Sequence, residues 1–368
     1  YTAEDFDKAL RMPEESRWEI VAVDDRVLGH GTAVAGVAAG NGRGSVSRRN
    51  RGIASESDLI IVKLAGRDDG FPRTTEVMEG LDYVLRKAIR LQQPIAVNLS
   101  FGNNYGSHSG NSLIETYLDD MANYWKTSIV IGSGNEGSAA VHTAGKLTLN
   151  EEQEVEIAVS AYEASLNLQI WKNYVDEIGV SVIHPGGTAI GPLQRIQGTQ
   201  RFQLGETNLL VYYGEPSPYN PYQEIYLDFI PVGSYIDDGI WKIRLTPIRI
   251  TDGAFDMWLP AGNVLNSGTG FLNPVEETTL TIPSTATKVI TVGAYDARFD
   301  QAAAFSGRGY TRATNQVKPD LVAPGVEIMS CAPGGGYQVR TGTSMATPFV
   351  TGSAALLMQW GITDGNDA

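Results

Sequence analysis

The chain has 368 residues, 42% of them hydrophobic, enough to bury a substantial core and to hold more than one module. Its formal net charge of −14 argues against the basic face that nucleic acid or an anionic membrane requires, and no run reaches the length of a membrane span. One cysteine, Cys331, cannot close an internal disulfide, so cross-links reveal nothing about the compartment.

Residues 1–15 lack the basic start and apolar core of a signal peptide. Residues 20–25, an apolar run ending in Asp24 and Asp25, lead into Gly29-His30-Gly31-Thr32, where a histidine stands between glycines at the start of a small-residue helix. Residues 34–40 are so small that this helix must pack tightly inside the fold. The histidine is then either a hydrogen-bonded core residue or a functional group. Arg48, Arg49 and Arg51 fall in a Gly/Ser/Asn-rich stretch that reads as an exposed loop, simply solvated or a target for trypsin-like cleavage. Apolar periodicity predicts helices over 76–92 and 112–125. Two segments, Asn98-Leu99-Ser100-Phe101-Gly102 and Gly132-Ser133-Gly134-Asn135-Glu136-Gly137, each follow an apolar, strand-like stretch and end in Gly and small polar residues. They read as loops at the ends of parallel strands.

From about Glu154 the pattern alternates, as in Val155, Ile157 and Val159 or Trp241, Ile243 and Leu245, with turn signals such as Pro185-Gly186-Gly187 and Asp237-Asp238-Gly239 between runs. Short strands at this spacing predict an antiparallel sandwich. Its aromatics, Trp171, Tyr212, Tyr213, Tyr219, Tyr222 and Trp241, form either packing or an exposed stacking face. Residues 289–294 return to a buried parallel strand, and Cys331 reads as a small core residue or a reactive thiol at a strand end near the site. Gly342-Thr343-Ser344-Met345-Ala346-Thr347-Pro348 then puts Ser344 in the first turn of a helix, as a cap or as a nucleophile, followed by an apolar run expected to be buried.

Together, the strings around His30, Ser100, Asn135 and Ser344 resemble the subtilisin-like serine proteases over roughly residues 20–144 and 276–360. More narrowly, Thr74-Thr75-Glu76, residues 98–102, Asn104-Tyr105-Gly106-Ser107-His108 and the long insertion after Asn135 resemble the clostridial Csp-type germination proteases. The resemblance implies an α/β fold, a doubly wound parallel sheet with an inserted antiparallel β-sandwich of jelly-roll type. Residues 1–144 and 276–368 would form the discontinuous catalytic domain, and residues 145–275 the insertion. It implies a serine endopeptidase with Ser344 as nucleophile, His30 as base and then acid, and Asn135 as an oxyanion donor. Ser100, Phe101 and Gly102 would pair with an extended substrate, and Ser133 and Gly134 would line the pocket before the scissile bond.

In this family the triad aspartate precedes the histidine by several tens of residues, so it is expected ahead of Tyr1. Asp24 stands only six positions before His30, too close to orient it, and both Asp24 and Asp25 read as solvated loop residues. Both ends of the chain read as cut or incomplete. The expected partner is a protein or peptide substrate, such as a zymogen activated in spore germination, with a cleaved N-terminal propeptide as a further partner. No cofactor is expected; calcium is common in the family, but no ligand cluster can be named. An extracytoplasmic, secreted or spore-associated location fits the resemblance. The alternative is a catalytically inactive relative acting as a binding or regulatory protein.

Overall fold

The computed structural model describes residues 2–21, 29–64, 73–215 and 220–366. Helix α1 (Ala3–Leu10) opens on a reciprocal cap between Thr2 and Asp5, and α2 (His30–Ala39) carries the histidine. Next comes α3 (Thr74–Leu91), whose buried stripe of Val77, Leu81, Val84, Leu85 and Ala88 follows helical spacing. After β1 (Ile95–Leu99), α4 (Leu113–Ala122) starts where Ser112 and Glu115 cap each other, and β2 (Thr127–Gly132) follows. Helix α4 ends earlier than its predicted 125 because the chain turns sharply, with Trp125 at φ 59°.

The middle of the chain supplies β3 (His142–Lys146), β4 (Gln153–Val159), β5 (Leu166–Asn173), β6 (Glu177–Ile183) and the short β7 (Ala189–Ile190). It continues through β8 (Thr199–Leu204), β9 (Thr207–Tyr213), β10 (Tyr222–Pro231), β11 (Gly239–Arg249), β12 (Ala254–Trp258) and β13 (Gly270–Phe271). The last part adds β14 (Ile290–Asp296), β15 (Gln301–Ala302), β16 (Leu321–Pro324), β17 (Ile328–Cys331), β18 (Tyr337–Arg340) and α5 (Thr343–Met358).

Strands β1, β2, β14 and β16 form a parallel sheet, with Ile95 opposite Thr127, Ile290 opposite Val130 and Val292 opposite Leu321. Alternation along β2 sends Ile129 and Ile131 into a cluster with α3 and α4, and Val130 into a cluster with Val292 and Ala346 of α5. Helices therefore cover both faces, as a parallel sheet needs. Helix α2 packs on α5 through small residues, and a Cβ on Gly352 would stand 2.8 Å from the Ala38 carbonyl oxygen. The far end of α5 departs from the sequence reading: Leu356 and Leu357 are exposed, since the parallel sheet is covered by the first half of the helix.

Strand β15 pairs antiparallel with β14, β17 and β18 form a separate hairpin, and the remaining strands form two antiparallel sheets, in the orders β3-β12-β5-β10-β9-β8 and β13-β4-β11-β6-β7. Their inward residues, among them Leu168, Ile170, Val180, Leu227, Phe229, Trp241 and Ile243, are fully or almost fully buried in one shared core. Each such side chain contributes about 1.5–3 kcal/mol of hydrophobic stabilisation. Trp171, Tyr213 and Trp241 are packing residues here, with Tyr212 exposed and Tyr222 half-buried, so these aromatics make no exposed ladder. Tyr219 lies outside the described residues.

Polar contacts fasten the antiparallel sheets to the parallel-sheet unit. The Asn104 Nδ2 group donates to the Leu259 carbonyl at 3.1 Å, and Arg312 Nε donates to Asp256. Trp258 lies between the rings of His108 and His142, with centroids at 4.1 and 4.8 Å. Where the chain enters and leaves these sheets, Val275 N donates to the His142 carbonyl at 2.9 Å.

Candidate active site

Ser344 is the second residue of α5, behind a glycine that reaches φ 150°. Four residues further along, the N–H of residue 348 would normally bond the Ser344 carbonyl. Pro348 has no N–H. The Ser100 hydroxyl takes its place, donating to the Ser344 carbonyl at 3.1 Å, and accepts in turn from Asn98 Nδ2 at 2.9 Å. Thr351 Oγ1 donates to Asn98 Oδ1 at 3.0 Å, so the end of β1 is tied to α5 one and two turns along.

Asn135 approaches the start of α5 from the loop after β2. Its Oδ1 accepts from Thr343 N at 2.9 Å and from Thr343 Oγ1 at 3.1 Å. Because a backbone N–H can only donate, the amide orientation is fixed, and the Nδ2 group of this exposed residue is left to donate elsewhere. The Ser344 N–H, in the first turn of α5, has no acceptor among the described residues. Two donors thus stand at one helix start, where the peptide dipoles favour negative charge.

His30 opens α2 and is exposed. Gly29 before it has φ 55°, and a Cβ there would lie 2.4 Å from Pro333, so that position admits only glycine. The hairpin of β17 and β18 braces this helix, with Ser330 Oγ donating to the Ala33 carbonyl at 2.6 Å. Cys331 beside it is half-buried at the end of β17.

One cleft of about 610 Å³ brings together His30, Ser100, Phe101, Gly102, Gly134, Asn135 and Ser344. Ser133 is not on its wall: the residue is fully buried, its hydroxyl 3.4 Å from that of Ser306 and its N–H given to the Val292 carbonyl. The side chain points behind the loop because β2 is still in register with β14 there. Asp24 and Asp25 lie outside the described residues.

Sequence reasoning missed the opposite wall, built by Ala261, Gly262, Asn263, Asn266, Ser267, Gly268 and Thr269 in the turn after β12. Two buried carboxylates hold it. Glu136 Oε2 accepts from Gly262 N at 2.8 Å, and Glu163 Oε2 accepts from Asn266 N at 3.0 Å and Thr269 Oγ1 at 2.6 Å. Burial raises the pKa of Glu136, an effect the Gly262 N–H opposes. Thr343, Arg340 and Thr341 were also missed as neighbours of the site. Among the described residues no group of three or more His, Cys, Asp or Glu is placed to hold a metal ion, and no helix is long and apolar enough to cross a membrane.

Residues 11–225 and 259–364 match the family model described as "Subtilase family". In structure the chain is similar to the CspB protease of Clostridium perfringens, with a TM-score of 0.89 and 35% identity over 100% of this chain and 76% of that one. In sequence it is 46% identical over 77 residues to an intracellular serine protease of Paenibacillus polymyxa, and 38% identical over 119 residues to the serine protease AprX of Bacillus subtilis. These alignments cover 21% and 27% of this chain, and the chain spans only 21% and 26% of those two relatives.

Proposed function

Because the chain belongs to the subtilase family, we propose that it is a serine endopeptidase in which Ser344 attacks the scissile carbonyl and His30 relays the proton. The imidazole takes the Ser344 proton during attack and returns it to the leaving amine when the tetrahedral intermediate collapses. Negative charge gathers on the former carbonyl oxygen, and Asn135 Nδ2 with the Ser344 N–H would receive it. The observation that supports this reading is the held Asn135 amide: Thr343 takes its oxygen, so the nitrogen is left to donate elsewhere before any substrate arrives. A donor that needs no reorganisation is worth most where charge develops.

The carboxylate that orients His30 we place on a segment ahead of Tyr1. In support, β1 pairs only with β2 among the described strands, which leaves one edge of the parallel sheet open for another strand. Such a segment would complete the protease, and a cleaved N-terminal propeptide fragment that carries or adjoins it would be a further partner. We read residues 1–144 and 276–368 as the catalytic domain and residues 145–275 as a jelly roll. With β3 straddling the boundary and the flanking strands β8, β9 and β13 set aside, numbering β3, β4, β5, β6, β7, β10, β11 and β12 from one to eight gives orders of 1-8-3-6 and 2-7-4-5, which supports that reading.

The overall likeness to the CspB protease supports a Csp-like processing role, with a protein zymogen as substrate and a secreted or spore-associated setting. A fluorophosphonate probe on the full protein tests the reaction. One adduct on Ser344, lost in Ser344→Ala, is expected; a full protein that takes no label and cleaves no peptide overturns it in favour of a non-catalytic relative.

A further inference from the structure

Resting on the protease reading, we propose that Arg340 makes this cleft select a substrate with an acidic side chain just after the scissile bond. Arg340 is the one permanent cation among the described residues that line the cleft. It closes β18, four positions before Ser344, on the hairpin that braces the His30 helix through Ser330 and Ala33. Ser100, Phe101 and Asn135 come from the loops after β1 and β2 instead. In serine-protease chemistry the imidazole hands its proton to the departing amine, so the part of the substrate beyond the scissile bond leaves along the His30 side. Arg340 lines the same cleft as His30 and ends the hairpin that packs on the His30 helix, and from that placement we assign it to the departing side.

The guanidinium is held, yet not neutralised. Gln338 and Arg340 are two apart on one strand and share a face. With the Gln338 amide oriented to satisfy both groups, its oxygen accepts from Arg340 Nε and Nη2, each at 2.9 Å. A neutral amide fixes the fork without cancelling its charge, and no described carboxylate pairs with Arg340, in contrast to Arg298 with Asp296 and Glu327 or Arg308 with Glu276. The carboxylate in the cleft lining, Glu136, is turned to the Gly262 N–H. The result is a pre-placed cation in a protein of net charge −14, suited to bidentate capture of one carboxylate and without use for a lysine.

The test uses the full protein and peptides that differ only in the residue after the cleaved bond, Glu, Gln or Lys. We expect kcat/KM to favour Glu over Gln by about five- to tenfold, a ratio that shrinks in high salt, vanishes in Arg340→Gln and turns toward Lys in Arg340→Glu. Equal Glu-to-Gln ratios in the unmodified protein and Arg340→Gln overturn the proposal. Binding of the same peptides to Ser344→Ala reads the preference without turnover. Tighter binding of the Glu peptide by a protein that takes no fluorophosphonate label would retain the acidic preference and sink the protease reading, whereas normal labelling with equal binding would do the reverse.

Discussion

The hydroxyl of Ser100 donates to the carbonyl of Ser344 at 3.1 Å, the acceptor that Pro348 leaves without its helical N–H. The bond crosses from the end of the first parallel strand to the first turn of the last helix, and it meets the backbone of the proposed nucleophile. Ser100→Ala should therefore lower kcat about tenfold with little change in KM, the effect of one lost hydrogen bond on the placement of Ser344. Ser100→Thr, which keeps the hydroxyl, should recover most of it. A shift confined to KM would assign Ser100 to substrate pairing alone.

Asn135→Ala removes the held amide and should cost about 10²–10³ in kcat, as removal of such a donor does in subtilisin itself. Thr343→Val deletes one of the two groups that fix the amide oxygen and should cost less, about tenfold. Steady-state kinetics on a peptide substrate separate the two, and equal losses would argue that Thr343 acts on more than Asn135.

Gly352→Ala would normally strengthen a helix by about 1 kcal/mol. Here the added methyl would lie 2.7 Å from Ile53 Cβ and 2.8 Å from the Ala38 carbonyl oxygen. Forcing α2 and α5 apart should cost about 1–3 kcal/mol and slow labelling of Ser344, since each helix carries half of the proposed pair. Thermal melts and labelling rates check this; an unchanged melting temperature would show that the helices can separate freely.

His108 is completely enclosed, its Nδ1 2.7 Å from the Leu280 carbonyl and its Nε2 3.2 Å from that of Asn104. Burial pulls its pKa down from 6.5 to about 4, against the opposing hydrogen bonds to the Leu280 and Asn104 carbonyls, with His142 adding to the fall and Asp256 opposing it. Between those values the unfolded chain binds the proton and the folded one does not, so stability falls as pH drops through that window. The group accounts for a loss on the order of 3 kcal/mol by pH 4. Denaturant unfolding at pH 7 and pH 5 should give a steeper difference for the unmodified protein than for His108→Gln. Equal slopes would remove His108 from the acid response.

Much of the architecture was legible because particular strings impose their own geometry. Glycines around His30 and Ser344 announced two tightly packed helix starts, and the alternation of Val155, Ile157 and Val159 announced β4. Strand β8 escaped notice because it is an edge strand whose inward residues are Gln200, Phe202 and Leu204, so only two apolar positions mark its alternation. The cleft wall at 261–269 was invisible for another reason. Its place is set by carboxylates at Glu136 and Glu163, more than a hundred positions away, and no local pattern encodes that meeting. Ser133 lies in the same loop as Gly134 and Asn135, which line the cleft, yet one residue of register decides which side chains reach the cleft and which turn inward.

The pairing of Val275 with His142 also bears on how the chain finds its native state. Asn135 and Thr343 must meet across a loop of more than two hundred residues, a closure whose entropic cost grows with the logarithm of its length. Once the antiparallel sheets are formed, residues 142 and 275 are neighbours, and the effective loop shrinks to the chain outside them. The insertion thus works as a clasp in time as well as in space: with those sheets in place, the meeting of Asn135 and Thr343 costs about 1 kcal/mol less in chain entropy than it would across the open loop.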